Sequence, residues 1–445
     1  MKLWQKLILA LMVLLALFGI LTITVLAVPS LHERVSNRLD QARIRVFYAL
    51  NPPEQAVFSP SGAKTDPTVE AIVQATMTQI AASFSPTPSA TFAPTNTPLP
   101  PDAPTPTETP SPTLLPASAL IQNVPYVDQH YGYNNCAPSN LTMGLKFWGW
   151  TGTREQVSDM VKPFSKDKNV MPYELVDYVN NQTGLRALSR IGGTPELLKR
   201  MIAAGYPVII ESGVYLRDLS GVVSWMGHYQ VVYGYDDARQ TWQIKDSFEQ
   251  NGDHYTDTYD ALIRSWRDFD YAFLVVYPPA QEGNVLQTLG EYADDAAANK
   301  IAAEKASAEI GELKGQEQFF AYYNRGTSLY LLSDFAGSAK AYDQAFQAYA
   351  TLSGDQRPWR MVWYQTGPYF AYFNTGRLQD VIDLADKTIN SASEPYIEES
   401  WYWRARAKAQ MGDTQGAAAD LRKSLEYHPD FGPSVALSQA LGIAP

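Results

Sequence analysis

The sequence is poor in cysteine and histidine, and it has fewer basic than acidic residues. A single Cys among 445 residues cannot form an intrachain disulfide, and it excludes Cys-rich zinc sites and iron–sulfur clusters. With 35 Lys and Arg against 46 Asp and Glu, the chain lacks the basic surface that binding to nucleic acid requires. We predict no cofactor, no metal site and no nucleic-acid partner.

The rest of the composition is that of a folded protein with more than one domain. Hydrophobic residues make up 45% of the chain and charged residues 18%, which are ordinary globular values. The length exceeds what one core usually supports, so we expect two or three domains. Shifts in local composition divide the chain into the segments 1–30, 31–83, 84–118, 119–280 and 285–445.

The segment 1–30 is predicted to be a transmembrane signal-anchor. Leu7 to Val28 carries no charge and reaches the length of about 20 residues that a bilayer-spanning helix needs. The residues from Ala27 to Ser30 are a poor cleavage site, which favours an uncleaved anchor over a cleaved signal peptide. Basic residues flank the segment on both sides, so the charge rule does not fix its orientation. The scarcity of Cys and the stalk that follows favour extracellular domains.

Two linking segments come next. Residues 31–83 are predicted to hold juxtamembrane helices, one from Leu31 to Leu50 and one with Asp66 as its N-cap and Pro67 in its first turn. Residues 84–118 are rich in Pro, Thr and Ser, which predicts an extended, disordered linker near polyproline II geometry. Such a linker holds the domain that follows it away from the membrane.

The only cysteine, Cys136, lies at the start of a predicted helix. Pro138 suits the first turn, and Leu141, Leu145 and Trp148 follow at helical spacing. A thiol at a helix N-terminus has its thiolate stabilised by the helix dipole and by free N–H groups, as a nucleophile requires. The alternative is a small buried hydrophobic residue, which is the commonest role of a free Cys.

Residues elsewhere in the chain favour the nucleophile. Gln129 lies on the loop before the helix, where its side-chain amide can donate a hydrogen bond to an oxyanion. His228 is predicted to open one strand, and Asp246 to close the next. The two strands should form a hairpin whose end brings His228 and Asp246 together, so that the carboxylate orients the imidazole.

Other polar residues nearby compete for these roles. His130 is adjacent to Gln129, but no predicted strand holds it in place, so it ranks behind His228. Asp236 and Asp237 are interpreted as turn residues. Asn140 begins a glycosylation sequon, but it falls inside the predicted helix.

Four sequence motifs resemble the bacteriocin-processing cysteine peptidase family: VPYVDQ, NNCAPSNLTMGLKFWG, MGHYQVVYGYDD and KDSF. That family cleaves double-glycine leaders and belongs to the papain-like clan. The resemblance covers residues 122–279 and implies an α+β papain-like peptidase domain. It implies Cys136 as nucleophile, His228 as general base and acid, Asp246 as the orienting residue and Gln129 in the oxyanion hole. The family usually has Gly after the Cys, and Ala137 should narrow the approach to the oxyanion hole.

The segment 285–445 is predicted to be an all-α solenoid that resembles tetratricopeptide repeats. Ser333, Gly376 and Gly412 are equivalent turn positions, spaced near the repeat period of about 34 residues. The stretch GDTQGAAADLRKSLEYHP is the clearest match. Stacked helix pairs of this kind usually bind a peptide or protein partner. The alternative is a plain helical domain that shields or orients the peptidase.

These features predict a membrane-anchored bacterial cysteine peptidase that acts on peptides or proteins. Two alternatives remain open from the sequence. One is a catalytically inactive peptide-binding scaffold, and the other is an amidase or transferase that uses the same thiol.

Overall fold

The structure is a computed structural model. It describes residues 4–5, 12–15, 17, 19, 24, 29–61, 115–130, 133–217 and 221–443. The predicted helix after Asp66 and nearly all of the predicted linker lie outside the described residues, as does most of Leu7 to Val28. Within those described ranges, no helix has the length and apolar character needed to cross a membrane. The transmembrane anchor therefore stays a prediction.

The first globular part is an α+β domain built on one seven-stranded sheet. Its strand order is β2-β7-β3-β4-β5-β6, with β1 paired to β4, and each described pairing is antiparallel. The strands are β1 Ser118–Leu120, β2 Arg186–Arg190, β3 Val208–Arg217, β4 Val223–Asp236, β5 Thr241–Lys245, β6 Tyr255–Thr258 and β7 Phe273–Tyr277. The helices of this part are Cys136–Phe147, Arg154–Val161, Pro172–Gln182, Pro195–Ala203 and Tyr259–Arg267.

Local sequence signals explain why these elements begin and end where they do. The Thr194 side chain accepts a hydrogen bond from the N–H of Leu197 and so caps the helix Pro195–Ala203. Gly205, with φ of 88°, ends the turn after that helix, and β3 then begins with an apolar run. A Thr before the helix, a Gly after it and an apolar run beyond the turn are the local residue types that favour these boundaries.

The strand that carries His228 is longer than predicted. The sequence suggested that His228 opens the strand, but β4 begins at Val223 and pairs with β3 from Val208 to Arg217. The register places His228 opposite Ser212, well inside the sheet. The prediction failed because Val223 to Gly227 has mixed polarity, and its strand conformation is specified by pairing with a distant segment.

The second part, after β7, is helical. Its helices are Glu282–Leu289, Asp295–Glu312, Gly315–Leu331, Phe335–Thr351, Met361–Tyr364, Gly367–Asn374, Leu378–Ser391, Glu398–Gln410, Thr414–Tyr427 and Gly432–Ala440. The three predicted turn positions, Ser333, Gly376 and Gly412, lie just after helices and have positive φ values of 64°, 74° and 87°. A succession of helices is thereby confirmed, while the identification of tetratricopeptide repeats stays a prediction.

A long N-terminal helix, Pro29–Leu50, packs near both parts. Its Asp40 pairs with Lys166 of the α+β domain at 3.0 Å. The chain after it continues onto the helical part, where the hydroxyl of Ser61 donates to Asp380 and Phe58 is buried against Phe346. The predicted helix from Leu31 to Leu50 is thus confirmed, and it lies against the folded domains.

Candidate active site

Cys136 is the first residue of the helix Cys136–Phe147, as the sequence predicted, and its side chain is partly exposed. The next nine residues of the helix are buried. Leu141 and Leu145 belong to the same apolar cluster as Val231 of β4 and Val276 of β7, which fixes the helix against the sheet. The thiol therefore lies at a rigid helix N-terminus, where the dipole and free N–H groups favour the thiolate.

The structure brings His228 and Asp246 together beside this thiol. His228 Nε2 lies 2.9 Å from Asp246 Oδ1, and both side chains are buried. The side chain of His228 also lies close enough to Cys136 to lower the pKa of the thiol, and both residues line the same cavity. Because Asp246 occupies Nε2, the ring nitrogen left for the thiol is Nδ1. The predicted meeting of these two residues across β4 and β5 is confirmed, although His228 lies inside its strand.

The charges of this set favour a thiolate facing an imidazolium. Burial raises the pKa of the Cys136 thiol, but the effects of His228 and of nearby backbone N–H groups outweigh burial, and the pKa is lowered from its usual value. Burial lowers the pKa of His228, but the Asp246 carboxylate outweighs it and raises that pKa to about 10. Burial raises the pKa of Asp246, but the charge and hydrogen bond of His228, together with the hydrogen bonds from Phe248 and Gln230, outweigh burial and lower that pKa to about 2.

Several groups hold Asp246 in position. Its Oδ1 accepts the N–H of Phe248 at 2.8 Å, and its Oδ2 accepts Gln230 Nε2 at 2.7 Å. Gly252 approaches the backbone of Asp246 so closely that a Cβ there would lie 1.7 Å from the Asp246 carbonyl oxygen. Only glycine fits at position 252, and its carbonyl accepts the N–H of Asp246.

Gln129 is oriented by a chain of hydrogen bonds that the sequence analysis missed. Asn140 Nδ2 donates to the carbonyl oxygens of Cys136 and Tyr229, which fixes that side-chain atom as nitrogen. Ser247 Oγ lies 3.0 Å from this nitrogen and donates its own hydrogen to Gln129 Oε1 at 2.6 Å. With Oε1 acting as the acceptor, the amide N–H₂ of Gln129 remains to act as the donor. Ser247 belongs to the KDSF motif, which was the only feature of the sequence that pointed to this residue.

The competing residues lie elsewhere or make other contacts. His130 is exposed and bonded to Asp128 at 2.6 Å, so it is not the partner of Cys136. Asp236 accepts the backbone N–H groups of the turn after β4, and Asp237 pairs with Lys199. Both turn assignments are confirmed. Asn140 is fully buried inside its helix, which confirms that it is not an accessible glycosylation site.

Ala137 replaces the glycine that usual members of the resembled family carry after the Cys. Its side chain is only 2% exposed and belongs to the apolar cluster that holds Leu141. Its backbone N–H contributes to lowering the pKa of the Cys136 thiol. The methyl group is accommodated by the core, and the N–H donor is kept.

The thiol opens into a cavity of about 290 Å³ lined by three distant segments of the chain. The α+β domain contributes Cys136, His228 and Gln129. The remaining wall comes from the N-terminal helix and from the helical part; these lining residues are Asp40, Ile44, Tyr48, Arg360, Trp363, Tyr364, Ser393 and Glu394. A volume of this size accommodates a side chain or a short peptide segment.

Glu211 is a further lining residue that sequence reasoning missed. It lies on β3 opposite Tyr229 and is 4% exposed. Burial, reinforced by the negative charge of Cys136, raises the pKa of Glu211 well above its usual value. The neutral acid is thereby favoured in the wall of the cavity. The only signal in the sequence was a charged residue directly after the apolar run Val208–Ile210.

Comparisons with known proteins bear on the α+β domain. Residues 121–273, about a third of the chain, match the model of the Peptidase_C39 like family. A solved structure of a putative C39-like peptidase from Bacillus anthracis is 16% identical, with a TM-score of 0.30, and the match covers 36% of this chain and 96% of that one. The peptidase domain of Streptococcus ComA is 18% identical, with a TM-score of 0.26, and the match covers 36% of this chain and 98% of that one.

Two curated proteins also match, namely aryl-hydrocarbon-interacting protein-like 1 of Mus musculus and of Rattus norvegicus. Each is 25% identical over 120 residues, which is 25% of this chain. This chain spans 37% of the length of those two relatives.

The family match confirms the resemblance carried by the four sequence motifs, and it identifies residues 121–273 as a C39-like peptidase domain.

Proposed function

We propose that this chain is a cysteine peptidase whose nucleophile is Cys136. The observation that carries the proposal is the arrangement of buried Asp246 and His228 next to the partly exposed Cys136, with the pKa of the thiol lowered and that of the imidazole raised. A nucleophile, a base and an orienting group in hydrogen-bonded sequence are what covalent acyl transfer requires. The family match of residues 121–273 supports the same reaction class.

In the proposed reaction the Cys136 thiolate attacks the carbonyl carbon of a peptide bond. The oxyanion that forms accepts hydrogen bonds from the Gln129 side-chain amide and from the N–H of Cys136, which as the first helical residue has no intrahelical acceptor. His228 donates its Nδ1 proton to the leaving amine, and an acyl-enzyme remains. A water molecule then gives a proton to His228 and attacks the acyl carbon, which releases the acid and restores the thiolate and imidazolium.

The proposed substrate is a peptide segment that reaches the thiol in extended form. The cavity is bounded by Ile44 and Tyr48 on one side and by Trp363 and Tyr364 on another, so it combines apolar walls with the polar groups around Cys136. The helical part therefore has a role in positioning substrate, since it supplies wall residues of the cavity. Binding of a further protein by this part is proposed on the predicted repeats alone.

The reactivity of the thiol provides a direct test. The chain has one Cys, so a single mass increment after iodoacetamide treatment reports Cys136 alone. We expect the alkylation rate of the native chain to reach half its plateau at a lower pH than that of the unfolded chain, because the pKa of the Cys136 thiol is lowered in the fold. The same chain in urea is the matched control and should show its half-rise near pH 8.5. In a His228→Gln variant, the pH at which the native chain reaches half its alkylation plateau should be higher than in the wild type. Native and unfolded chains with the same pH dependence would favour the inactive scaffold instead.

We also propose that the domains lie outside the cell on a membrane anchor. This rests on the uncharged segment from Leu7 to Val28 and on the Pro-rich linker 84–118. Protease added to intact cells should cut within the linker and produce a fragment that begins between residues 84 and 118. This fragment is detected on a denaturing gel, because residues 29–61 pack against the folded domains and would hold the two pieces together in the native protein. A variant lacking residues 7–28 is the control and should be found in the soluble fraction. Cleavage only after lysis would place the domains in the cytoplasm and contradict the proposal.

A further inference from the structure

A cluster of metal-ligand side chains lies where the helical part packs on the α+β domain, outside the catalytic set. Glu174 comes from the helix Pro172–Gln182, Glu398 opens the helix Glu398–Gln410, and His428 directly follows the helix Thr414–Tyr427. One ligand atom from each of the three residues lies within 4.8 Å of the other two. Because the three residues are far apart in sequence, no short metal-binding motif indicates this cluster.

The separations suit one small divalent cation. His428 Nδ1 lies 2.8 Å from Glu398 Oε1 and 4.0 Å from Glu174 Oε1. Ligand atoms about 2.0–2.1 Å from a tetrahedral zinc ion are about 3.3–3.4 Å from one another. The two distances bracket this value, and the Glu174 and Glu398 ligand atoms lie within 4.8 Å of each other, so small rotations of the side chains would place the three atoms at three corners of a tetrahedron. One imidazole and two carboxylates also form a donor set that suits zinc better than calcium or magnesium.

The carboxylates lack the partners that burial demands. Glu398 is 2% exposed, and its Oε2 is buried with no hydrogen-bond partner among the described residues. Glu174 Oε2 accepts the N–H of Met171 at 2.7 Å, which leaves Oε1 facing His428. Within the described part of the chain, neither Glu174 nor Glu398 forms an ion pair with Lys or Arg. Buried carboxylates without a cation are costly, and a metal ion would remove that cost.

The surroundings add negative charge. Burial raises the pKa of Glu398 well above its usual value, and the charges of Asp167 and Glu399 raise it further. The pKa of Glu174 is raised by burial and by Glu399. A cation bound among these carboxylates would offset the unfavourable burial of like charges.

We propose that Glu174, Glu398 and His428 bind one divalent transition-metal ion, zinc by preference, which joins the helical part to the α+β domain. The site is structural: two of its ligands belong to the helical part and one to the α+β domain. It also lies near the catalytic cavity, because Glu174 accepts the N–H of Met171 and the adjacent residue Val170 lines that cavity. Zinc would therefore hold together the two parts that line the cavity.

Metal content and thermal stability test this proposal without any activity assay. The full-length chain, free of any affinity tag, is dialysed with zinc, freed of excess metal and analysed by elemental mass spectrometry. The measurement is repeated in a Cys136→Ala background, where the catalytic thiol cannot bind metal. We expect about one zinc per chain in both cases, together with a fall in Tm of several degrees in EDTA that added zinc reverses.

Variants locate the metal. Glu398→Gln and His428→Gln keep the side-chain volume roughly constant and should lose at least tenfold in zinc occupancy and all zinc-dependent change in Tm. Glu426→Gln and His254→Ala alter an exposed carboxylate and an exposed imidazole, and should retain both. Wild-type protein with less than about a tenth of an equivalent of zinc and no response of Tm to zinc would overturn the proposal. Full occupancy in the Glu398 and His428 variants would overturn it as well. If these variants fail to fold, the wild-type titration decides alone.

Discussion

Replacing Cys136 by alanine is expected to abolish amide hydrolysis while leaving the fold intact. The thiol is the only candidate nucleophile at the N-terminus of its helix, and the variant removes one sulfur atom from a partly exposed position. Loss of the nucleophile in a well-studied hydrolase triad costs on the order of 10⁶-fold in kcat. We therefore expect a loss of at least about 10⁴-fold, which is below detection in most peptide-cleavage assays.

The measurement combines cleavage of a peptide library with circular dichroism of the same preparations. Cys136→Ser is a useful companion, because it keeps the side-chain shape and offers a hydroxyl whose proton is much harder to remove. Both variants should give the wild-type spectrum and Tm within a few degrees. Undiminished cleavage by purified Cys136→Ala would show that the activity resides elsewhere. Wild-type turnover of simple amides but not of any peptide would favour the amidase alternative.

Residues whose roles are set locally could be predicted from sequence. The helix that starts at Cys136 follows from Pro138 and the spacing of its leucines, and the cap at Thr194 follows from one side chain and one nearby N–H. His228 and Asp246 were placed together because adjacent strands joined by a short turn form a hairpin. Each of these inferences required only contacts between residues about twenty or fewer positions apart in sequence, or a motif whose physical role is known.

Residues whose roles depend on distant packing could not be predicted. The orientation of Gln129 depends on Ser247 and Asn140, which lie on different elements and are joined only by the fold. The cavity is closed in part by Tyr48 and Trp363, which come from opposite ends of the chain. The start of β4 at Val223 depends on its pairing with β3. In each case a tertiary contact determines the conformation, and no local sequence pattern encodes that contact.

The balance of charge around His228 should control the pH dependence of the proposed reaction. The active form pairs a thiolate with an imidazolium, so activity rises as pH passes the pKa of Cys136 and falls as pH passes that of His228. The pKa of the thiol is lowered from its usual value, and that of the imidazole is raised to about 10. We expect a bell-shaped profile with a basic limb near pH 10.

Changing Asp246 to Asn is expected to move the basic limb to lower pH. The Asp246 carboxylate raises the pKa of His228, so its removal lowers that pKa, and the imidazolium proton is lost at lower pH. The acidic limb depends mainly on the thiol and should move much less. The rate at the optimum should also fall, by about 10²–10⁴-fold, because an asparagine amide can bind the wrong tautomer of the ring. The measurement is kcat/KM against pH for the wild type and the variant.

Asp236→Asn and Asp237→Asn are the matched controls, since each removes one carboxylate from the turn that joins the same two strands. Asp236 accepts backbone N–H groups of that turn, and Asp237 pairs with Lys199 and Tyr259. Both variants should keep both limbs of the profile in place, because neither carboxylate contacts His228. Asp246, by contrast, lies 2.9 Å from the His228 ring. A basic limb that shifted with Asp236 or Asp237, and ignored Asp246, would mean that another carboxylate controls the imidazolium and that the proposed order Asp246, His228, Cys136 is wrong.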